Sequence, residues 1–204
     1  MEVKEFEGKE LDSVIEEALE ELNIKKEEAI IINEEISKGT LIKKKSVKIK
    51  VYTYKDIQNY LKGYLLKLTE LMGLSVTFET KLRGEQIYIK MYSDNNSILI
   101  GKEGKTLNAL QTLVRQIVRN KTNTSIKINL DVSNYKMKKM KNIERIVRQV
   151  AKEVKTSKVT VSLDPMNSYE RRYVHTIISE YPELETESVG EGKERHITIK
   201  YKEI

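Results

Sequence analysis

The amino-acid sequence predicts a mixed α/β (α+β) chain made of three small modules. Three observations carry that expectation. Apolar residues recur at helical spacing in several stretches of the 204 residues, and short runs that alternate apolar and polar residues lie between them. The two patterns interleave along the whole chain, and with only two prolines no Pro-, Gly- or Ser-rich linker separates them.

The first module, residues 1–52, is expected to be β-α-β-β. Leu11, Val14, Ile15, Ala18, Leu19 and Leu22 fall on one helical face, with Glu16, Glu17, Glu20 and Glu21 on the other. Strand-prone runs lie near Val3–Phe6, at Ala29–Ile36 and at Val47–Tyr52, the last two joined by a turn at Lys38-Gly39.

The second module, residues 53–131, follows as α-β-β-α-loop-α-β. A helix over Asp56–Met72 with Ile57, Leu61, Leu65, Leu68 and Leu71 on its apolar side stops at Gly73. Two strands alternate through Val76 and Phe78, then Ile87, Ile89 and Met91, with a turn at Arg83-Gly84. A short helix over Asn95–Ile100 leads into Gly101-Lys102-Glu103-Gly104. A longer helix then buries Leu107, Leu110, Val114, Ile117 and Val118, and a strand carries Ile126, Ile128 and Leu130.

The third module, residues 132–204, opens with a long helix whose apolar stripe is Met140, Ile143, Val147, Val150 and Val154. A basic stripe of Lys141, Arg145, Arg148, Lys152 and Lys155 runs beside it. A strand at Val159 and Val161 precedes Asn167, which with Glu170 three residues later forms a capping-box pattern. The helix it starts carries Arg171, Arg172 and His175 and ends before Pro182. Two strands finish the chain, the last with Ile197, Ile199 and Tyr201 on one face.

Charge is unevenly spread. Residues 1–40 hold 5 Lys/Arg against 13 Asp/Glu, net −8, whereas residues 95–158 hold 15 against 4, net +11, inside a total of +6. A concentrated basic middle points to a polyanionic partner. The absence of cysteine excludes disulfides and thiolate metal sites. No apolar run is long enough to span a membrane, and the acidic start lacks a secretory pattern, so a cytoplasmic protein is expected.

The Gly101–Gly104 loop is the first chemical signal. Glycines at both ends let a polynucleotide backbone approach the main chain. The helix after Gly104 offers free N–H groups and a positive dipole end to a phosphate, and Lys102 and Lys105 add charge. Gly104-Lys105-Thr106 is not the end of a nucleotide-triphosphate loop, because the glycine that motif needs five residues earlier is Leu99. With its apolar lead-in, Ile98-Leu99-Ile100-Gly101-Lys102-Glu103-Gly104-Lys105-Thr106-Leu107 resembles the signature of KH domains, and the leading α-β-β order resembles the type II arrangement. KH domains clamp about four nucleotides with such a loop, which puts Ile100, Gly101, Lys102, Glu103, Gly104 and Lys105 at the RNA.

Arg171 and His175 stand four residues apart, hence on one helix face. The string Glu170-Arg171-Arg172-Tyr173-Val174-His175, preceded by Asp164-Pro165-Met166, resembles an R-three-H domain, a module associated with single-stranded nucleic acid. That resemblance implies phosphate contacts from Arg171 and Arg172, with His175 orienting Arg171 or stacking on a base.

The two domains in this order, behind an acidic β-α-β-β module, resemble the bacterial Jag family of sporulation-associated proteins, as do Glu187–Gly192 and Arg195. The family's Lys-Gly-Phe-Leu-Gly-like turn is replaced here by Lys38-Gly39-Thr40-Leu41-Ile42-Lys43, and its long charged linker before the KH domain is almost absent. The resemblance implies a single-stranded RNA binder, with single-stranded DNA as a related ligand. The resemblance further implies a role as an RNA chaperone or post-transcriptional regulator in cell elongation, wall homeostasis and division. A small KH-only protein is the implied partner. The competing expectation is a protein-interaction scaffold that homodimerises through the KH fold and docks a membrane-associated partner through the acidic N-terminal module. No catalytic role, cofactor or metal is expected: His175 and His196 are the only histidines, and neither G-x-S-x-G nor H-E-x-x-H occurs.

Overall fold

A computed structural model describes residues 1–38 and 44–202. The described chain divides into two compact units, residues 1–133 and 134–204. Three three-stranded sheets are found among the described residues, two in the first unit and one in the second.

The first sheet has β1 (Lys4–Gly8), β2 (Ala29–Lys38) and β3 (Lys44–Thr53) in the order β1-β3-β2, all antiparallel. Helix α1 (Leu11–Leu22) covers one face, and Val14 and Ala18 bury themselves with Ile49 and Val51. The alternation of β3 sends Ile49 and Val51 inward while Lys48 and Lys50 face Glu5 of β1, Lys48 at 2.6 Å. The expected turn at Lys38-Gly39 falls largely on residues outside the description.

In the second sheet β4 (Val76–Arg83) pairs antiparallel with β5 (Gln86–Ser93), and β5 pairs parallel with β6 (Lys127–Val132). A parallel pair needs a crossover. Here it consists of α3 (Asn96–Ile100), the glycine loop and α4 (Lys105–Thr122), so the topology itself carries the loop. Ile87, Ile89 and Met91 stand beside Ile128, Leu130 and Val132, each essentially inaccessible to water. Helix α2 (Tyr54–Leu71) contributes Ile57, Leu61 and Leu65, and α4 contributes Leu107, Leu110, Val114 and Val118.

Three details of this sheet depart from the sequence expectation. Leu71 is 80% exposed, because the position after Leu65 that faces inward belongs to Thr69, whose hydroxyl is satisfied by the carbonyl of Leu65. Ile117 is only half-buried, and Gln111 takes the inward position beside Leu110. The hairpin turn is Gly84-Glu85, with Arg83 still paired to Gln86.

Gln111 shows what fixes α4 on the sheet. Its Nε2 donates to the carbonyl of Ile128 at 2.7 Å, and its Oε1 accepts the N–H of Leu130 at 2.9 Å. Arg115 donates to the same Ile128 carbonyl through Nε and Nη2. These bonds satisfy main-chain groups of β6 that no strand pairs, and they set the helix whose start forms the loop.

The second unit packs α5 (Tyr135–Ser157) and α6 (Ser168–Ile178) with β7 (Val161–Ser162), β8 (Leu184–Val189) and β9 (His196–Tyr201), ordered β7-β9-β8. Val147, Val150, Ala151 and Val154 of α5 meet Val174, Ile177 and Ile178 of α6 and Leu184, Ile197 and Ile199 of the sheet. The expected strand at Val159 and Val161 shrinks to Val161-Ser162, paired with Ile199 and Thr198, and leaves Val159 61% exposed. Lys158, in the left-handed conformation at φ 58°, turns the chain out of α5 just before it.

Candidate nucleic-acid interface

Gly101 has φ 71° and ψ 177°, a region open essentially to glycine alone. A Cβ there would also lie 2.9 Å from Cβ and 3.0 Å from N of Thr106. The loop backbone therefore lies directly against the first turn of α4, and glycine is required for both conformation and space. Glu103 and Gly104 follow with φ 56° and φ 86°. One internal bond, Gly104 N–H to the carbonyl of Gly101 at 3.2 Å, closes the turn.

The N-cap position of α4 is Gly104, so no N-cap side chain closes the helix start, and the Lys105 N–H bonds the carbonyl of Lys102. Lys102 and Lys105 are exposed on either side of that helix end. Glu103 pairs with Lys105 at 3.5 Å, both well exposed. An exposed pair of this kind contributes about 0–1 kcal/mol and is readily exchanged for a phosphate. Lys102 is the loop cation outside that pair. Before the loop, Leu99 is fully buried and anchors α3, Ile100 is half-buried, and Ile98 is 45% exposed.

The second candidate site is built on α6. Its N-terminus is held by the capping box expected from the sequence. Asn167 accepts the N–H groups of Tyr169 and Glu170, each at 3.0 Å, and Glu170 accepts the N–H of Asn167 at 3.0 Å. Glu170 is buried, at 5% exposure, and its other oxygen receives Lys139 of α5 at 2.6 Å. The segment before the cap is pinned to β9 and the residue preceding it by Leu163 N–H to the Ile197 carbonyl and Met166 N–H to the Arg195 carbonyl.

Arg171 uses that pinned segment. Its Nη1 donates to the Met166 carbonyl at 2.8 Å, and the side chain is half-buried. A guanidinium has five N–H donors, so this anchor orients the fork and leaves donors for a ligand. His175 does not orient Arg171: its Nδ1 is hydrogen-bonded to Thr186 Oγ1 of β8 at 2.5 Å. Arg172, the next residue along the helix, is exposed.

The basic stripe on α5 is divided. Arg148 binds Glu180 at 2.8 Å and Glu144 at 3.1 Å, and these carboxylates raise its already high basicity. Glu144 in turn is held below the usual carboxylate range by Arg148 and then by the Tyr173 hydroxyl, which donates to it at 3.1 Å. Lys155 pairs with Glu183, which raises the lysine and lowers the carboxyl. Arg148 and Lys155 therefore tie α5 to the α6 end of the unit. Lys141, Arg145 and Lys152 are exposed, with Arg145 hydrogen-bonded to Asn142.

Sequence reasoning missed Thr106, Lys139, Thr186 and Tyr169. The first three act through partners distant in sequence or through backbone shape, which a residue pattern does not encode. Tyr169 had a signal, since it lies one helical step from Arg172 among polar residues. Among the described residues no three His, Asp or Glu side chains gather as a metal site would need, and no helix is long and apolar enough to cross a membrane.

The fold and the two sites define a protein that joins a KH-type α/β fold with its glycine loop to a compact R-three-H unit. Comparison with known proteins agrees. Residues 58–131 match the KH domain of KhpA/KhpB, and residues 141–201 match the R-three-H domain. The RNA-binding protein KhpB of Bacillus subtilis (strain 168) is 28% identical over 200 residues, 96% of each chain. RNA-binding protein KhpB of Clostridium symbiosum is 34% identical over 131 residues, 64% of this chain and 59% of that protein. That of Lactiplantibacillus plantarum is 26% identical over 136 residues, 67% of this chain and 42% of the relative. The chain thus carries a KhpA/KhpB-type KH domain followed by an R-three-H domain, and over most of its length it is similar to RNA-binding proteins KhpB.

Proposed function

We propose that this protein binds single-stranded RNA, clamping the sugar-phosphate backbone at Gly101–Gly104. One observation carries the reading: α4 starts, with no side-chain cap, directly after the tight Gly101–Gly104 turn, where Lys102 and Lys105 stand exposed. Arg171, Arg172 and His175 supply a second contact, supported by the anchored guanidinium of Arg171. Two weak sites on one chain raise the effective concentration of the strand at each. The exposed Lys141, Arg145 and Lys152 add long-range attraction. The relatives' shared name, RNA-binding protein, supports the same reading.

In this account the protein is a non-catalytic, cytoplasmic RNA chaperone or post-transcriptional regulator acting in cell elongation, wall homeostasis and division. Association with a KH-only protein or a second copy would use an apolar surface. Leu66, Leu71 and Met72, exposed along and just after α2, supply one. The acidic N-terminal module is the natural contact for a membrane-associated protein. Crosslinking RNA to the protein in cells, then sequencing the RNA and mapping the modified peptide, tests the reading. The expected result is RNA attached to peptides containing 101–105 or 169–175. Recovery of no RNA would favour a scaffold that acts through α2 and the N-terminal module.

A further inference from the structure

The chain has eleven tyrosines, two phenylalanines and no tryptophan. Among the described residues, Tyr169 is the aromatic side chain that stands out in solvent, at 68% exposure. The other tyrosines and the phenylalanines are buried or half-buried. The Tyr169 N–H is consumed by the Asn167 cap, which fixes the residue in the first turn of α6, while its hydroxyl makes no hydrogen bond among the described residues. A lone exposed apolar group is ordinary, but the neighbours of this one are not. Steps of three and four residues join side chains on a helix surface, and here they link Tyr169 to Arg172, Arg172 to His175, and His175 to Arg171. The ring therefore borders the cationic surface of α6, on a turn held by Glu170 and Lys139.

We propose that Tyr169 stacks on a nucleobase of the strand whose phosphates Arg171 and Arg172 hold. The inference rests on the reading of α6 as a nucleic-acid site and adds an aromatic base contact from a residue outside its Arg-His pair. Cations bind the backbone whatever the base, whereas a neutral ring in a fixed turn engages the π-face of any base. The assignment gives α6 a contact with little sequence preference and little dependence on salt.

Because the chain has no tryptophan, full-length Tyr169→Trp carries a single tryptophan at the proposed contact, which can be excited selectively over the remaining tyrosines. The ligands are oligouridine and an abasic oligomer of equal length. Tyr169→Ala is expected to bind oligouridine roughly tenfold more weakly with an unchanged salt slope. Tyr169→Trp is expected to retain affinity and to be quenched as oligouridine binds. On the abasic strand, wild type and Tyr169→Ala should bind alike. Wild-type affinity in Tyr169→Ala, or an equal loss on both ligands, overturns the stacking assignment. Arg171→Ala in the same assay separates the two levels. If it weakens binding while Tyr169→Ala does not, stacking alone fails; if neither variant weakens binding, the reading of α6 fails with it.

Discussion

Arg171 donates through Nη1 to the main-chain carbonyl of Met166 at 2.8 Å, so the first residue of the R-three-H pair is aimed by the loop preceding its own helix. That loop is held in place by the capping box and by backbone bonds to β9 and the residue preceding it. Arg171→Ala should weaken single-stranded RNA binding and reduce the slope of log affinity against log salt by about one phosphate contact. Arg171→Lys should restore little of the affinity, because an ammonium cannot hold the carbonyl and a phosphate as a planar fork does. Anisotropy titrations across a salt series read both effects.

Glu170 links α5, α6 and the loop through Lys139 and the Asn167 N–H. Glu170→Ala removes the returning half of the cap and a charged hydrogen bond, and should cost about 2 kcal/mol in urea unfolding. Glu170→Gln keeps an acceptor for Asn167 and should recover part of that loss.

Gln111 satisfies both Ile128 and Leu130 of β6. Gln111→Ala leaves the buried Leu130 N–H without its acceptor and should destabilise the first unit by about 1–3 kcal/mol. Hydrogen exchange should then show faster exchange along β6 and the start of α4, with the second unit unchanged.

Glu144 is held below the ordinary carboxylate range chiefly by its bond to Arg148 and then by Tyr173. A lowered folded value means that the stabilisation is present above the unfolded carboxylate range and is lost as pH falls through the depressed value. Glu144→Gln should therefore lower the thermal midpoint near neutrality more than at strongly acidic pH. The group is solvent-exposed, so the difference should be small, and equal shifts at both pH values would remove the pair from the acid response.

Much of this architecture was legible in the residues because local physics decided it. The alternation through Ile87, Ile89 and Met91 and the Asn167–Glu170 cap each need only near neighbours. The glycine loop was legible for the same reason, since its conformation is written in Gly101 and Gly104. What escaped was tertiary. Arg148 and Lys155 look like a continuation of a basic stripe, yet they face Glu180 and Glu183 brought near by folding. His175 bonds to Thr186, eleven residues away and across onto β8, rather than to Arg171 on its own face. Leu71 followed the apolar pattern, but Thr69 held the inward position at the end of α2.

The central claim is that the Gly101–Gly104 loop grips the RNA backbone. Substituting both Lys102 and Glu103 with Asp tests it most directly. Aspartate tolerates the left-handed conformation at position 103, so the fold should be retained. Circular dichroism and thermal unfolding should match wild type. Anisotropy with labelled oligouridine should show most of the binding lost, through repulsion of phosphate at the start of α4. A folded double variant that binds oligouridine with wild-type affinity would contradict the account.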